Sequence, residues 1–319
     1  MKTSMCVVVA FFSAYFTIGF RFANANYTFQ TIDYPASTST DINGFVPDGK
    51  LVGDYTDAGG VTHAFILDGG NYTVFDHPSA QGYTSANGGN SAGQVVGLYY
   101  NPAGPPPVGN AYLRSGNTFT ELVPFAGSAF AQALSINEAG HVVGSYRDGS
   151  GTRFGFHYDG SQYETISVPG STATVAMGIN DVDDVVGNYV TSDGVRHGFI
   201  RSQGSYTQLD APGADGITVA QGINEAGDVA GLFFDANGTS HGFVYNGSYT
   251  VIDVLGSTWT EVYDIDAAGR LAGYYEDANG QGHGFVATPV PEPGIGTVML
   301  GLTGFFWYRR NRRGVTKKP

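Results

Sequence analysis

SINEAGHVVGSY from Ser135, GINDVDDVVGNY from Gly178 and GINEAGDVAGLF from Gly222 are copies of one unit, each leading into the same succession of turns and aromatics. Aligned on the asparagine, the unit recurs at Asn43, Asn90, Asn137, Asn180, Asn224 and, with a change of residue, Asp266, at spacings of 47, 47, 43, 44 and 42. Periods in the forties belong to paired-helix solenoids or to four-stranded propeller blades, and local chemistry decides between them. In the copy near Thr174, Val185–Tyr189, His197–Ile200 and Tyr206–Asp210 are β-branched and aromatic runs too short for helices. They read as strands.

Turn residues separate these runs. Asn137-Glu138-Ala139-Gly140 suits a type I turn closed by a left-handed glycine. Asp148-Gly149-Ser150-Gly151, Asp235-Ala236-Asn237-Gly238 and Asp277-Ala278-Asn279-Gly280 recur as the second connection, and Asp68-Gly69, Asp159-Gly160 and Asn246-Gly247 suit primed two-residue turns as the third. Three hairpins join four strands. The fourth connection runs through Pro78, Pro169-Gly170 or Pro212-Gly213 and returns the chain to the inner edge of the next sheet. Val142, Val143 and Tyr146 break the apolar–polar alternation of a one-sided sheet, which predicts blades covered on both faces. Gly97, Gly144, Gly187, Gly231 and Gly273 then mark close approach of an adjacent sheet.

Complementary half-repeats predict closure. YTFQTIDYPASTST from Tyr27 matches the second half of a unit, whereas the last copy ends at Phe285-Val286-Ala287 without that half. The expected fold is all-β: a six-bladed β-propeller of four-stranded antiparallel blades, closed by the N-terminal strand. A linear β-solenoid would leave the matching halves unexplained.

The triplets His63-Ala64-Phe65, His197-Gly198-Phe199, His241-Gly242-Phe243 and His283-Gly284-Phe285, with their Ile-Asn lead-in, resemble the extracellular HAF repeat family over Tyr27 to Thr288. Asn110-Ala111-Tyr112 and Phe154-Gly155-Phe156 depart from it by lacking the histidine. The resemblance implies a secreted propeller-like module and no particular reaction.

The ends speak to location. Residues 1–25 carry one lysine, an apolar core from Met5 to Phe20 and a small-residue exit with Ala23 and Ala25 flanking the cleavage rule, and read as a signal peptide. The only cysteine, Cys6, lies inside it, so residues 26–289 form a propeller domain large enough to bury a core without disulfides. In residues 290–319, Pro291-Glu292-Pro293 precedes an apolar run at 294–308 and the basic end Arg309, Arg310, Arg312 and Arg313. This tail resembles the PEP-CTERM sorting signal. The resemblance implies an exosortase-type processing enzyme at the inner membrane as partner, in exopolysaccharide-producing bacteria. Fifteen residues of helix reach about 22 Å, which suits transient membrane anchoring better than a permanent span. An ordinary single-pass anchor is the competing reading.

Charge narrows the partners. Without the two terminal signals, seven basic residues face 27 acidic ones, a net charge near −20 that repels nucleic acid and anionic lipid. Neutral glycans, cations and basic surfaces fit better. No nucleophile elbow, zinc-type helix motif or phosphate loop occurs, so no catalytic residue is assigned. The triplet histidines, one per blade, stand too far apart to share an ion and are expected to hydrogen-bond a neighbouring blade. His77, His141 and His157 fall at unrelated positions, no metal or cofactor is assigned, and the Asp-x-Asn-Gly turns hold only part of a calcium loop. The expected function is that of an exported cell-envelope or extracellular-matrix protein that binds or builds, associated with extracellular polysaccharide. The alternative is a polysaccharide-active enzyme with its site in the central channel, which would show as a copy that breaks the pattern with converging acids. The Pro-rich segment Asn101 to Pro107 is a further candidate contact loop.

Overall fold

Six antiparallel sheets, one per repeat, make up the computed structural model, which describes residues 23–24, 27–101, 109–128 and 130–290. The signal segment up to residue 22, Ala25, residues 102–108 of the Pro-rich segment and the tail from Pro291, with its arginines, lie outside the described residues. Each blade starts at the ring centre: Ser39–Phe45, Thr84–Gly89, Phe130–Ile136, Ala173–Ile179, Thr218–Ile223 and Trp259–Ile265 are the innermost strands of blades 1 to 6. In blades 1 to 5 three hairpins carry the chain outward, and a crossover returns it to the next blade.

The sixth sheet proves the closure. Its inner three strands, Trp259–Ile265, Leu271–Glu276 and Gly282–Pro289, come from the C-terminal side, and its outer strand is Tyr27–Ile32. Tyr27 pairs with Pro289 and Ile32 with Gly284, so the ring is joined by main-chain hydrogen bonds between strands more than 250 residues apart. Ala23 and Asn24 add a two-residue pairing to the edge of this strand.

Consecutive valines on each second strand explain the lack of alternation. Val142 packs into a core with Val96, Ala111 and Leu122 of blade 2, while Val143 faces the other way, into a core with Ala176 and Ile179 of blade 4. Val185 and Val186 repeat the division one blade on. The hydrophobic core is therefore six interfaces rather than one centre, each holding a fully buried aromatic from the third strand: Phe65, Tyr112, Phe156, Phe199, Phe243 or Phe285.

Three sequence expectations are corrected. The glycines of the second strands, Gly144 and Gly187 among them, do not face an adjacent sheet: a Cβ on Gly187 would overlap the carbonyl oxygen of Val175, in the same blade's innermost strand, and press on the Phe199 ring at 3.0 Å. That carbonyl is thrust inward because every innermost strand carries a β-bulge. The alignment of the first copy also shifts by three residues. Val46, not Asn43, occupies the turn position, since its N–H and that of Asn90 bond the carbonyls four residues on, at Lys50 and Gln94. The first hairpins are otherwise as expected, with Gly140 left-handed and its N–H bonded to the Asn137 carbonyl at 3.0 Å. Only some third hairpins are two-residue turns: Gly69-Gly70 is one, whereas Asp159-Gly160 and Asn246-Gly247 lie in loops of four and three residues.

Replacing Gly187 by alanine should destabilise the fold by about 2–3 kcal/mol, because the new methyl must displace a backbone carbonyl rather than a side chain. Urea denaturation checks this; an unchanged midpoint would show that the bulge can relax.

Candidate functional site: the central channel

Each bulge inserts one residue that has no partner in the ladder, and its side chain turns toward the ring axis. The six are Asn43, Asn87, Leu134, Met177, Gln221 and Tyr263, all half-exposed, and all line one cavity of about 360 Å³ at the centre of the ring. Leu134 and Met177 make an apolar side. Asn43, Asn87 and Gln221, with Tyr263, make a polar one. Asn87 donates its amide to the Ala133 carbonyl at 2.8 Å and Asn43 to the Ala86 carbonyl at 3.0 Å, so both are held by the next blade. Gln221 makes no side-chain hydrogen bond among the described residues, leaving its amide open to the channel.

Above this waist runs a ladder of asparagines. Asn90 Nδ2 donates to the Asn137 carbonyl, Asn137 to Asn180, Asn180 to Asn224 and Asn224 to Asp266, at 3.1 to 3.2 Å. Their Oδ1 atoms accept from the backbone four residues on and close their own turns, as His141 N to Asn137 Oδ1 does at 2.9 Å. An amide can accept for its own turn and donate to the next blade at once, which a carboxylate cannot. Asp266 has no donor and ends the ladder at the seam, where it binds Arg270 Nε instead at 2.6 Å. At the mouth, the carboxylates of Glu138, Asp181 and Glu225 accept from the backbone N–H groups of Ser91, Glu138 and Asp181. Burial, together with the charges of Asp181 and Glu138, pushes Glu225 above the usual carboxylate range.

The repeat pattern breaks at the seam between blades 6 and 1. Gly44, Gly88, Gly178 and Gly222 follow the bulge in four blades and Ser135 in blade 3, whereas blade 6 has Asp264 there, lining the channel, with its carboxylate accepting from Phe45 N at 2.8 Å and Ile265 N at 2.9 Å. Burial pushes Asp264 up to about 7. Behind it, Asp41 and Asp54 face each other across adjacent strands. Burial raises Asp41 to about 7, against the lowering effect of its bond from Tyr263, and raises Asp54 well above the usual range, reinforced by the Asp41 charge. Asn43 Nδ2 holds Asp54 at 2.7 Å, and Trp259 Nε1 donates to Glu261 at 2.9 Å on the same side. A sequence signal existed: Asp54 and Asp264 stand at strand positions that carry no acid in the other blades.

The triplet histidines are structural, with one correction. Nδ1 of His63, His197, His241 and His283 pairs with Asp76, Asp210, Asp253 and Asp33 at 2.7 to 3.0 Å, each the residue that follows the outer strand of the same blade rather than part of a neighbour. The Asp235 and Asp277 turns spend Oδ1 on backbone N–H groups, from Thr239 and Gln281 at 2.9 Å. His141 and His157, unrelated in sequence, are brought together, with ring centroids 5.3 Å apart.

Raised carboxyl pKa values set a pH dependence. An unfolded aspartate titrates near 3.9, so between about pH 4 and 7 native Asp264 keeps a proton that the unfolded chain releases, and its contribution to stability falls as pH rises through that window. Asp264→Asn should remove this slope: the difference in melting temperature between the two proteins should change from pH 4 to pH 7 and level off above. A difference that does not vary with pH would place Asp264 in its ordinary range.

No family model and no curated protein matches the chain. Among solved structures it is similar to a mutant of AofleA from Arthrobotrys oligospora, at 11% identity and TM-score 0.50 over 83% of this chain and 90% of that one. It is also similar to Aleuria aurantia lectin in complex with Fucα1-6GlcNAc, at 12% identity and TM-score 0.48 over 81% and 98%. Trypanosoma rangeli sialidase aligns at 11% identity and TM-score 0.47 over 88% of this chain, which spans 59% of the sialidase. At such identities the likeness concerns the fold alone.

Proposed function

We propose that this protein is an exported glycan-binding propeller of the cell envelope or extracellular matrix, which takes a neutral or amino-sugar-bearing polysaccharide end in its central channel. The observation that carries the reading is the ring of bulge residues. The blades repeat their turns, valines and buried aromatics, yet the six positions aimed into one cavity carry five different residue types: Asn43, Asn87, Leu134, Met177, Gln221 and Tyr263. Divergence at positions that share one cavity makes an asymmetric pocket out of a symmetric scaffold. Its chemistry suits a sugar, with amides and carboxylates for hydroxyl groups on one side and apolar surface for a ring face on the other. The acidic mouth disfavours anionic polymers.

A second reading, a glycan-active enzyme, is favoured by one observation: Asp264 at the channel wall, with a pKa near the working pH of a general acid. Release of reducing ends or unsaturated sugars from a polysaccharide, abolished in Asp264→Asn, would support that reading; binding without turnover supports the first.

Delivery is proposed to run through the tail, where Pro291, Glu292 and Pro293 would be read by an exosortase-type enzyme and the 294–308 segment would anchor the chain until it is cut. Changing the three residues to alanine should leave the protein in the membrane. The mass of the mature C terminus in the native host decides: an intact Pro319 in the wild type would end the processing proposal.

A glycan array on the Asn26–Pro289 module tests the channel. Gln221→Ala removes an amide with no internal partner, so glycan affinity should fall roughly tenfold, about 1.4 kcal/mol, with melting temperature unchanged. Unaltered binding would move the site away from the channel.

A further inference from the structure

Blade 3 departs from its repeats twice and blade 4 once, and the three departures meet at one point. The third-strand residue opposite the second valine is aliphatic in five blades: Ile66, Leu113, Ile200, Val244 and Val286. In blade 3 it is His157, opposite Val143. The left-handed turn residue is glycine in five blades, at Gly49, Gly93, Gly140, Gly227 and Gly269, but Asp183 in blade 4, with φ of 61°. A non-glycine residue there bears a backbone cost that glycine avoids. The third departure is His141, which immediately precedes the second strand of blade 3, at a position held elsewhere by Lys50, Gln94, Asp184, Asp228 and Arg270.

Asp183 Oδ1 lies 2.8 Å from His141 Nδ1 and 3.8 Å from His157 Nε2, and one ligand atom from each of the three residues falls within 4.8 Å of the other two. His157 Nε2 is buried and has no hydrogen-bond partner, although burying such an atom unpaired is costly. Asn137 Nδ2 donates to Asp183 Oδ1 at 3.0 Å and holds the carboxylate in place, as the outer partners of metal ligands commonly do. Two atoms about 2.1 Å from a tetrahedral ion stand about 3.4 Å apart, a spacing these separations straddle.

We propose that His141, His157 and Asp183 bind a divalent first-row transition ion, which clamps blade 3 to blade 4 beside the channel mouth. Two imidazoles and one carboxylate suit Zn²⁺ or its neighbours in the series and leave a fourth position for water, while magnesium and calcium prefer oxygen donors alone. The ion would give His157 Nε2 the partner it lacks and take over the contact between His141 and Asp183. Asn137 links the cluster to the asparagine ladder, and Asp181, two residues before Asp183, lines the mouth, so occupancy would stiffen one wall of the channel. No other group of three metal-ligating side chains this close occurs among the described residues.

The test uses the full chain without a histidine tag, stripped with a chelator and titrated with Zn²⁺ by calorimetry, with Mg²⁺ as control. One Zn²⁺ per chain and a rise in melting temperature with Zn²⁺ alone are expected. His157→Leu and Asp183→Gly each install a residue type that the other blades carry at that position, so folding should persist, checked by circular dichroism, while Zn²⁺ affinity should fall at least tenfold. If one variant misfolds, the other decides. Absence of stoichiometric Zn²⁺ binding by the wild type, or wild-type affinity in a folded variant, would overturn the proposal.

Discussion

Everything in this ring depends on how six innermost strands converge on one axis. Each absorbs one extra residue as a β-bulge, and the carbonyl displaced by that bulge falls where the neighbouring strand has a glycine. The missing side chain on Gly144, Gly187 or Gly231 is thus a constraint of the sheet itself, sealed from above by a buried phenylalanine ring. The same distortion that lets the strands bend also turns one side chain per blade into the channel. Architecture and site arise from a single backbone irregularity.

Around that waist the asparagine ladder couples the blades in sequence. Each amide closes its own hairpin through oxygen and grips the next blade through nitrogen, so a turn motif doubles as a circumferential tie. The tie ends at Asp266, and the seam between blades 6 and 1 is held by other means: the pairing of Tyr27–Ile32 with the last strand, the Asp264 carboxylate on Phe45 N, and Arg270 over the Phe45 ring at 4.9 Å. The seam is where a closed ring made from an open chain must differ from its repeats. It is also where buried acids gather.

Part of the site was within reach of sequence reading. The period, the turn glycines and the complementary half-repeats made strand number, blade number and closure legible, because they depend on contacts between residues close along the chain or on matching segments. The bulge residues were not, since Leu134 and Met177 look like any apolar residue in a strand, and only a register slip of one residue aims them at the axis. The Asn43 alignment erred for a related reason: an Asn-x-x pattern occurs at the bulge as well as at the turn, and hydrogen bonding alone separates them. The histidines of the triplets were correctly read as satisfied, but their partners proved to lie within the blade, because a cross-strand neighbour is nearer than the next sheet.

Sequence by itself determined the all-β class, the six repeats, the Velcro-like use of Tyr27–Ile32, the burial of both blade faces and the acidic surface. These follow from local turn chemistry, side-chain periodicity and charge, which need no knowledge of what lies across the ring. Tertiary structure alone decided which residues share the channel, why the second-strand glycines are required, and that His141, His157 and Asp183 meet. Those facts depend on distances between blades. A bulge or a rotation of one sheet against the next changes them by several ångströms while leaving every local pattern intact.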